Sequence, residues 1–107
     1  MVVNQYEVVL VNLNPTIGSE IRKTRPCVVI SPAELNRNLN TIVIAPMTTN
    51  LIGYPTRVDV HFKGKTGKIA VDQIRTIDAK RVVKKLGKIR QEEVVNLKEI
   101  LRQTYVD

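Results

Sequence analysis

The sequence predicts a mainly β fold, a small antiparallel barrel with one C-terminal helix packed against it. Three observations carry this. The apolar residues, 43 % of the 107-residue chain, are dominated by valine and isoleucine, which favour strands. They fall in short runs separated by Pro- and Gly-marked turns. Helical spacing of apolar residues occurs in one place, the last seventeen positions (91–107).

The elements follow in order. "YEVVLVNL" (6–13) reads as a strand rich in β-branched residues. "NPTIGSEIRKTR" (14–25) is a long loop, of the length often given to function. "PCVVIS" (26–31) is a second strand, with Pro26 restricted to its start or edge. "PAELNRNLN" (32–40) is a turn with one turn of helix, and "TIVIAPMT" (41–48) a third strand ending near Pro46, which lacks a ladder donor. "TNLIGYP" (49–55) is a loop. In "TRVDVHF" (56–62), Val58, Val60 and Phe62 alternate with Arg57, Asp59 and His61, the pattern of a half-buried strand. "KGKTG" (63–67) turns the chain into a returning strand, "KIAVDQI" (68–74), and "RVVKKLGKI" (81–89) adds a short strand or an extended crossing. The helix presents Val94, Leu97, Leu101 and Thr104/Tyr105, with Ile100 alongside, and Glu92 and Glu93 suit its N-terminus. Five to six strands with short connections favour an antiparallel sheet, and closure would protect its edges. The length suits one domain, residues 1–107.

The charge narrows the function. The net charge is +7, which attracts polyanions. It is concentrated: residues 61–90 hold ten Lys/Arg against two Asp/Glu, whereas 1–60 hold five against four. With one Phe, three Tyr and no Trp, an aromatic platform for stacking bases is not expected. The lone cysteine, Cys27, excludes an internal disulfide and reads as a core residue. No apolar run approaches eighteen residues and no signal segment opens the chain, so a cytoplasmic protein with no membrane association is expected.

Three stretches could carry chemistry. In "GSEIRKTRP" (18–26), Arg22 and Lys23 read as surface charges, while Arg25, directly before the Pro26 strand, is either a third surface charge or an anchored cation. An arginine held still is suited to phosphate oxygens and to developing negative charge. In "APMTTN" (45–50), Thr48 and Thr49 follow a strand at a rim, where their hydroxyls either bind phosphate or satisfy their own turn. In "DQIR" (72–75), Gln73 either reads a base edge or ties down a loop. His61, beside Asp59 on an outer strand face, reads as a surface histidine. No His/Cys/Asp/Glu cluster has metal-ligand spacing, and "GKTGK" lacks the spacing of a phosphate-binding P-loop.

"VVLVNLNPTIGSEIRKTRPCVVIS", "TIVIAPMTTN", "YPTRVDV", "KIAVDQIRTID" and "KKLGKI", in that order, resemble the MazF/PemK family of toxin endoribonucleases over nearly the whole chain. Many members open their first strand with Gly-Asp, where this chain has Tyr6-Glu7. The resemblance implies an SH3-like antiparallel barrel with a C-terminal helix, also the fold of CcdB-like toxins, assembled as a homodimer. It implies cleavage of single-stranded RNA at short motifs without a metal or other cofactor. The ribose 2′-OH would attack the adjacent phosphorus, leaving a 2′,3′-cyclic phosphate and a 5′-OH. It maps the catalytic arginine onto Arg25, the catalytic threonine onto Thr48 and the acid of the "GSE" loop onto Glu20. Around these, Ser19, Thr49, Asn50, Gln73 and Arg75 are the residues expected to bind RNA. It also implies a cognate antitoxin that lays an acidic segment over the RNA site and provides the only, indirect, link to DNA. Two other classes share these features: a non-catalytic nucleic-acid-binding barrel, and a gyrase-poisoning toxin, which would need a Trp-containing C-terminus where this chain has "QTYVD".

Overall fold

The computed structural model describes residues 2–107. Seven strands form one antiparallel system: β1 (Glu7–Asn12), β2 (Thr24–Val29), β3 (Thr41–Thr48), β4 (Arg57–Phe62), β5 (Lys65–Ala70), β6 (Arg75–Asp78) and β7 (Val82–Lys88). A one-turn helix α1 (Ala33–Asn38) links β2 to β3, and α2 (Gln91–Tyr105) ends the chain. The ladder runs β4-β5-β3-β2-β1-β7, with β6 also paired to β3. The sheet is curled into a half-barrel. Its end strands meet through side chains, with Phe62 of β4 against Gly87 of β7, and no β4–β7 ladder forms among the described residues.

The apolar runs of β1 and β2 are buried on both faces. Val8 and Val28 join Met47, Val60, Ile69 and the α2 residues Val94 and Leu97 in one core. Their neighbours Val9, Val11, Cys27 and Val29 join Leu13, Ile42, Ile44 and Ile77 in a second, as the period of two requires. The α2 face expected from spacing is the one used, with Ile100 and Leu101 packed at its margin. The Glu93 carboxylate is buried at the start of α2. It accepts the His61 N–H at 2.8 Å, the Arg90 N–H at 2.9 Å and an Arg90 guanidinium N–H at 3.0 Å, tying the helix to β4.

The structure corrects two strand assignments and bears out a third. β2 begins at Thr24, so Arg25 lies in the strand, opposite Val11, and Pro26 falls where β2 pairs with β1 alone, since pairing to β3 starts at Cys27. β3 covers the expected 41–48 and runs through Pro46. Along one side it pairs with β6 through Ile44 and with β5 from Met47, so the residue without an N–H sits at the handover. The expected strand 68–74 is broken: β5 ends at Ala70, a 3-10 turn covers Val71–Gln73, and β6 takes Arg75–Asp78 to β3, giving seven strands instead of five to six.

Candidate nucleic-acid interface

The register of β2, β3 and β5 assembles one cleft. Arg25 comes from β2 and Thr48 from the end of β3, and both line a cavity of about 360 Å³ with Thr24, Thr49 and the β4–β5 hairpin. The Arg25 Nε donates to the Arg22 carbonyl at 3.1 Å, which steadies the guanidinium without neutralising it. Arg25 makes no ion pair among the described residues. Behind Thr48, β5 approaches so closely that a Cβ on Gly67 would lie 2.7 Å from the Thr48 carbonyl oxygen. The Thr48 Oγ accepts the Asn50 N–H at 3.1 Å and keeps its own O–H to donate. Asn50 is spent on the loop, its Oδ1 accepting the Ile52 N–H at 3.1 Å. Met47, Val60, Phe62 and Leu86 make an apolar floor, and none of the lining residues is acidic.

A second cavity, about 370 Å³, is lined by Pro46 of β3 and by the β1–β2 loop. It holds Ser19, Glu20, Gln73 and Arg75. The Glu20 carboxylate accepts the Ile17 N–H at 2.7 Å, and the Gln73 Oε1 accepts the Ile21 N–H at 2.7 Å. Gln73 therefore ties down the β1–β2 loop in this conformation. Arg75 donates to the Leu13 carbonyl at 3.1 Å, and Arg81 donates to the carbonyls of Asn12, at 3.2 Å, and Asn14, so the base of the loop is also held. Asp72, on the cavity wall, pairs in bidentate fashion with Arg57 at 2.7 and 3.1 Å and accepts the Thr56 hydroxyl at 3.0 Å. Burial pushes its carboxyl up, but the hydrogen bonds from Arg57 and its neighbours outweigh this and hold it below the ordinary range.

The sequence-predicted residues thus divide. Arg25, Thr48 and Thr49 share the cleft; Ser19, Glu20, Gln73 and Arg75 share the second cavity; Asn50 lines neither. Glu20 and Arg25 do not touch. Cys27 lies beneath, and burial pushes its thiol up to about 12 against the pull of Arg75 and Arg25, as befits a core residue. His61 lies on the outer face of β4, its Nδ1 3.1 Å from the Thr66 Oγ, outside both cavities. Among the described residues no group of three or more His, Cys, Asp or Glu could hold a metal ion, and no helix is long and apolar enough to cross a membrane. Sequence reasoning missed the hairpin tip as part of the cleft. The basic excess of 61–90 was a signal, but the tip's placement depends on the pairing of β5 with β3.

Residues 4–105 match the family model described as PemK-like, MazF-like toxin of type II toxin-antitoxin system. Endoribonuclease PemK of Escherichia coli is 37 % identical over 79 residues, which is 69 % of this chain and only 59 % of that relative's own length. Endoribonuclease MazF of Staphylococcus epidermidis is 32 % identical over 101 residues, covering 89 % of this chain and 84 % of the relative. A crystal structure of MazF from Deinococcus radiodurans superposes with a TM-score of 0.86 at 25 % identity, covering 96 % of both chains. A MazE-MazF structure from the same organism has a TM-score of 0.78 at 23 % identity, covering 96 % of this chain and 94 % of that one, and supports the fold.

Proposed function

This chain belongs to the PemK-like, MazF-like toxins of type II toxin–antitoxin systems, and on that premise we propose that it is an endoribonuclease that cuts single-stranded RNA by attack of a ribose 2′-OH. The observation that carries the reading is an arginine without a carboxylate partner facing a threonine hydroxyl across an acid-free cleft. The relatives named as endoribonucleases support it.

In this reaction the 2′-oxygen bonds to phosphorus, the bond from phosphorus to the 5′-oxygen breaks, and a 2′,3′-cyclic phosphate and a 5′-OH result. Charge gathers on the two non-bridging oxygens in the transition state. The Arg25 guanidinium meets that charge through paired N–H donors, and the free O–H of Thr48 holds one oxygen. No metal has a part in these steps. Glu20 accepts the 2′-OH proton, and the departing 5′-oxygen takes a proton from solvent water to leave as the 5′-OH. Of the two carboxylates in the second cavity, Glu20 is the one outside an ion pair. Ser19, Gln73 and Arg75 bind a neighbouring nucleotide there, while Thr49 in the cleft and Asn50 after it bind RNA beside Thr48. Two cavities of about 360 and 370 Å³ fit recognition of a short motif. Single-stranded substrate is needed because a duplex keeps the 2′-oxygen out of line with the leaving oxygen.

The chain works as a homodimer in the cytoplasm and is silenced by a cognate antitoxin whose acidic segment covers the cationic cleft. The antitoxin is also its only link to DNA. A MazE-MazF structure among the neighbours supports a partner of this kind. The test is a gel of single- and double-stranded RNA incubated with purified protein in excess EDTA. Cleavage of the single strand alone is expected, and RNA left intact after long incubation would replace this reading with a non-catalytic binding module.

A further inference from the structure

The β4–β5 hairpin places two unassigned cations over the cleft. Phe62 pairs with Lys65 across a two-residue turn, Lys63–Gly64, whose φ angles are 50° and 78°. Positive φ at both positions marks the tight turn that continues the twist of its strands. Along β5, Gly67 and Ile69 are buried, and Lys65 shares their face by the period of two. Lys63 and Lys65 line the same cavity as Arg25 and Thr48. The Lys63 Nζ lies 5.7 Å from the centroid of the Phe62 ring, a cation–π contact that helps hold it in place.

The two faces of the hairpin treat their lysines differently. On the outer face, Lys68 is neutralised by Asp59. On the cleft side, neither Lys63 nor Lys65 has an ion-pair partner among the described residues. Between these lysines and Arg25 the floor is apolar, with Val60, Phe62 and Leu86 on it. The cavity, about 360 Å³, has the volume of one nucleotide. It therefore offers cations on two walls and an apolar surface between them.

Resting on the ribonuclease reading, we propose that Lys65, with Lys63 beside it, binds the RNA phosphate one nucleotide away from the scissile one, so that the intervening nucleoside lies on the apolar floor. A lysine ammonium is a point charge with rotatable donors; it holds backbone phosphate and reads no sequence. The clamp sets the register of the strand against Arg25. It acts on binding and leaves the chemical step alone.

The test compares wild type, Lys65→Gln, the double variant Lys63→Gln/Lys65→Gln and the outer-face control Lys68→Gln. Two quantities are read: affinity for a single-stranded oligonucleotide with 2′-deoxy positions, as a function of salt, and kcat and KM on cleavable RNA. The slope of log K against log [salt] is expected to fall by about 0.7 for each cleft lysine removed. KM should rise roughly tenfold in the double variant with kcat unchanged, Lys65→Arg should restore the slope, and Lys68→Gln should leave the slope at its wild-type value. An unchanged slope in the double variant, or a fall in kcat at constant KM, overturns the clamp while wild-type cleavage keeps the ribonuclease reading. Wild-type protein that neither binds nor cleaves RNA overturns both.

Discussion

Arg25 is aimed by the strand that carries it. Its backbone is paired opposite Val11 and followed by Pro26, and its Nε is held by the Arg22 carbonyl, so the remaining N–H groups face the cleft. Arg25→Ala should lower kcat by about 10²–10³, the usual effect of losing one preorganised donor to developing charge, with the melting temperature nearly unchanged. Glu93 shows the opposite use of charge, inward and structural. Burial raises its carboxyl, yet the Arg90 side chain, the Arg90 N–H and the His61 N–H outweigh burial and hold it below its ordinary value. A carboxyl lowered on folding adds stability above its unfolded value, near 4.3, and loses it as pH falls through the folded value. Melting temperature should therefore drop steeply below about pH 4.5, and Glu93→Gln should flatten that drop while costing about 1–3 kcal/mol at pH 7. Arg25 and Thr48 were legible because each lies beside a strand that the sequence marks plainly. The tie of Asn50 to Thr48 was legible only as one alternative, and the burial of Glu93 was not, because its partner His61 is 32 positions away.

Elements whose apolar pattern is local were the ones the sequence specified. β1, β4 and α2 fall within a residue or two of expectation, since their periodicity is complete before any tertiary contact forms. The break after Ala70 was illegible because "IAVDQI" is apolar enough for one strand. What bends it is distant: the Val71 N–H bonds the Thr56 carbonyl at 3.1 Å, and the Tyr105 hydroxyl donates to the Val71 carbonyl at 2.6 Å. That bend aims Gln73 at the β1–β2 loop. Gln73→Ala should raise hydrogen exchange at the Ile21 amide by an order of magnitude or more while leaving the β1–β2 ladder protected; protection unchanged at Ile21 would mean the loop is held by its base alone. On α2, Leu97 is fully buried between helix and sheet. Leu97→Ala should cost about 2–5 kcal/mol in denaturant unfolding, as a core truncation does.

Across the whole molecule, charge and shape divide the work. The acids of α2 serve its N-terminus and its ion pairs, Glu92 and Glu93 with Arg90 and Glu99 with Arg102, while the cations of β2 and the β4–β5 hairpin meet at one cleft. The excess over residues 61–90 was visible in sequence, but its convergence with Arg25 depends on β5 lying beside β3. β3 contributes to two cavities, one lined with Arg25 and Thr48 and the other with Glu20, Gln73 and Arg75. The central claim is that the cleft activates the RNA's own 2′-OH. Its most direct measurement is the chemistry of the fragment ends after cleavage in EDTA. The account predicts a 2′,3′-cyclic phosphate or its 3′-phosphate product on one fragment and a free 5′-OH on the other, both absent with 2′-deoxy substitution at the cut site. A 5′-phosphate, or cleavage that persists without the 2′-OH, would contradict it and make water the nucleophile.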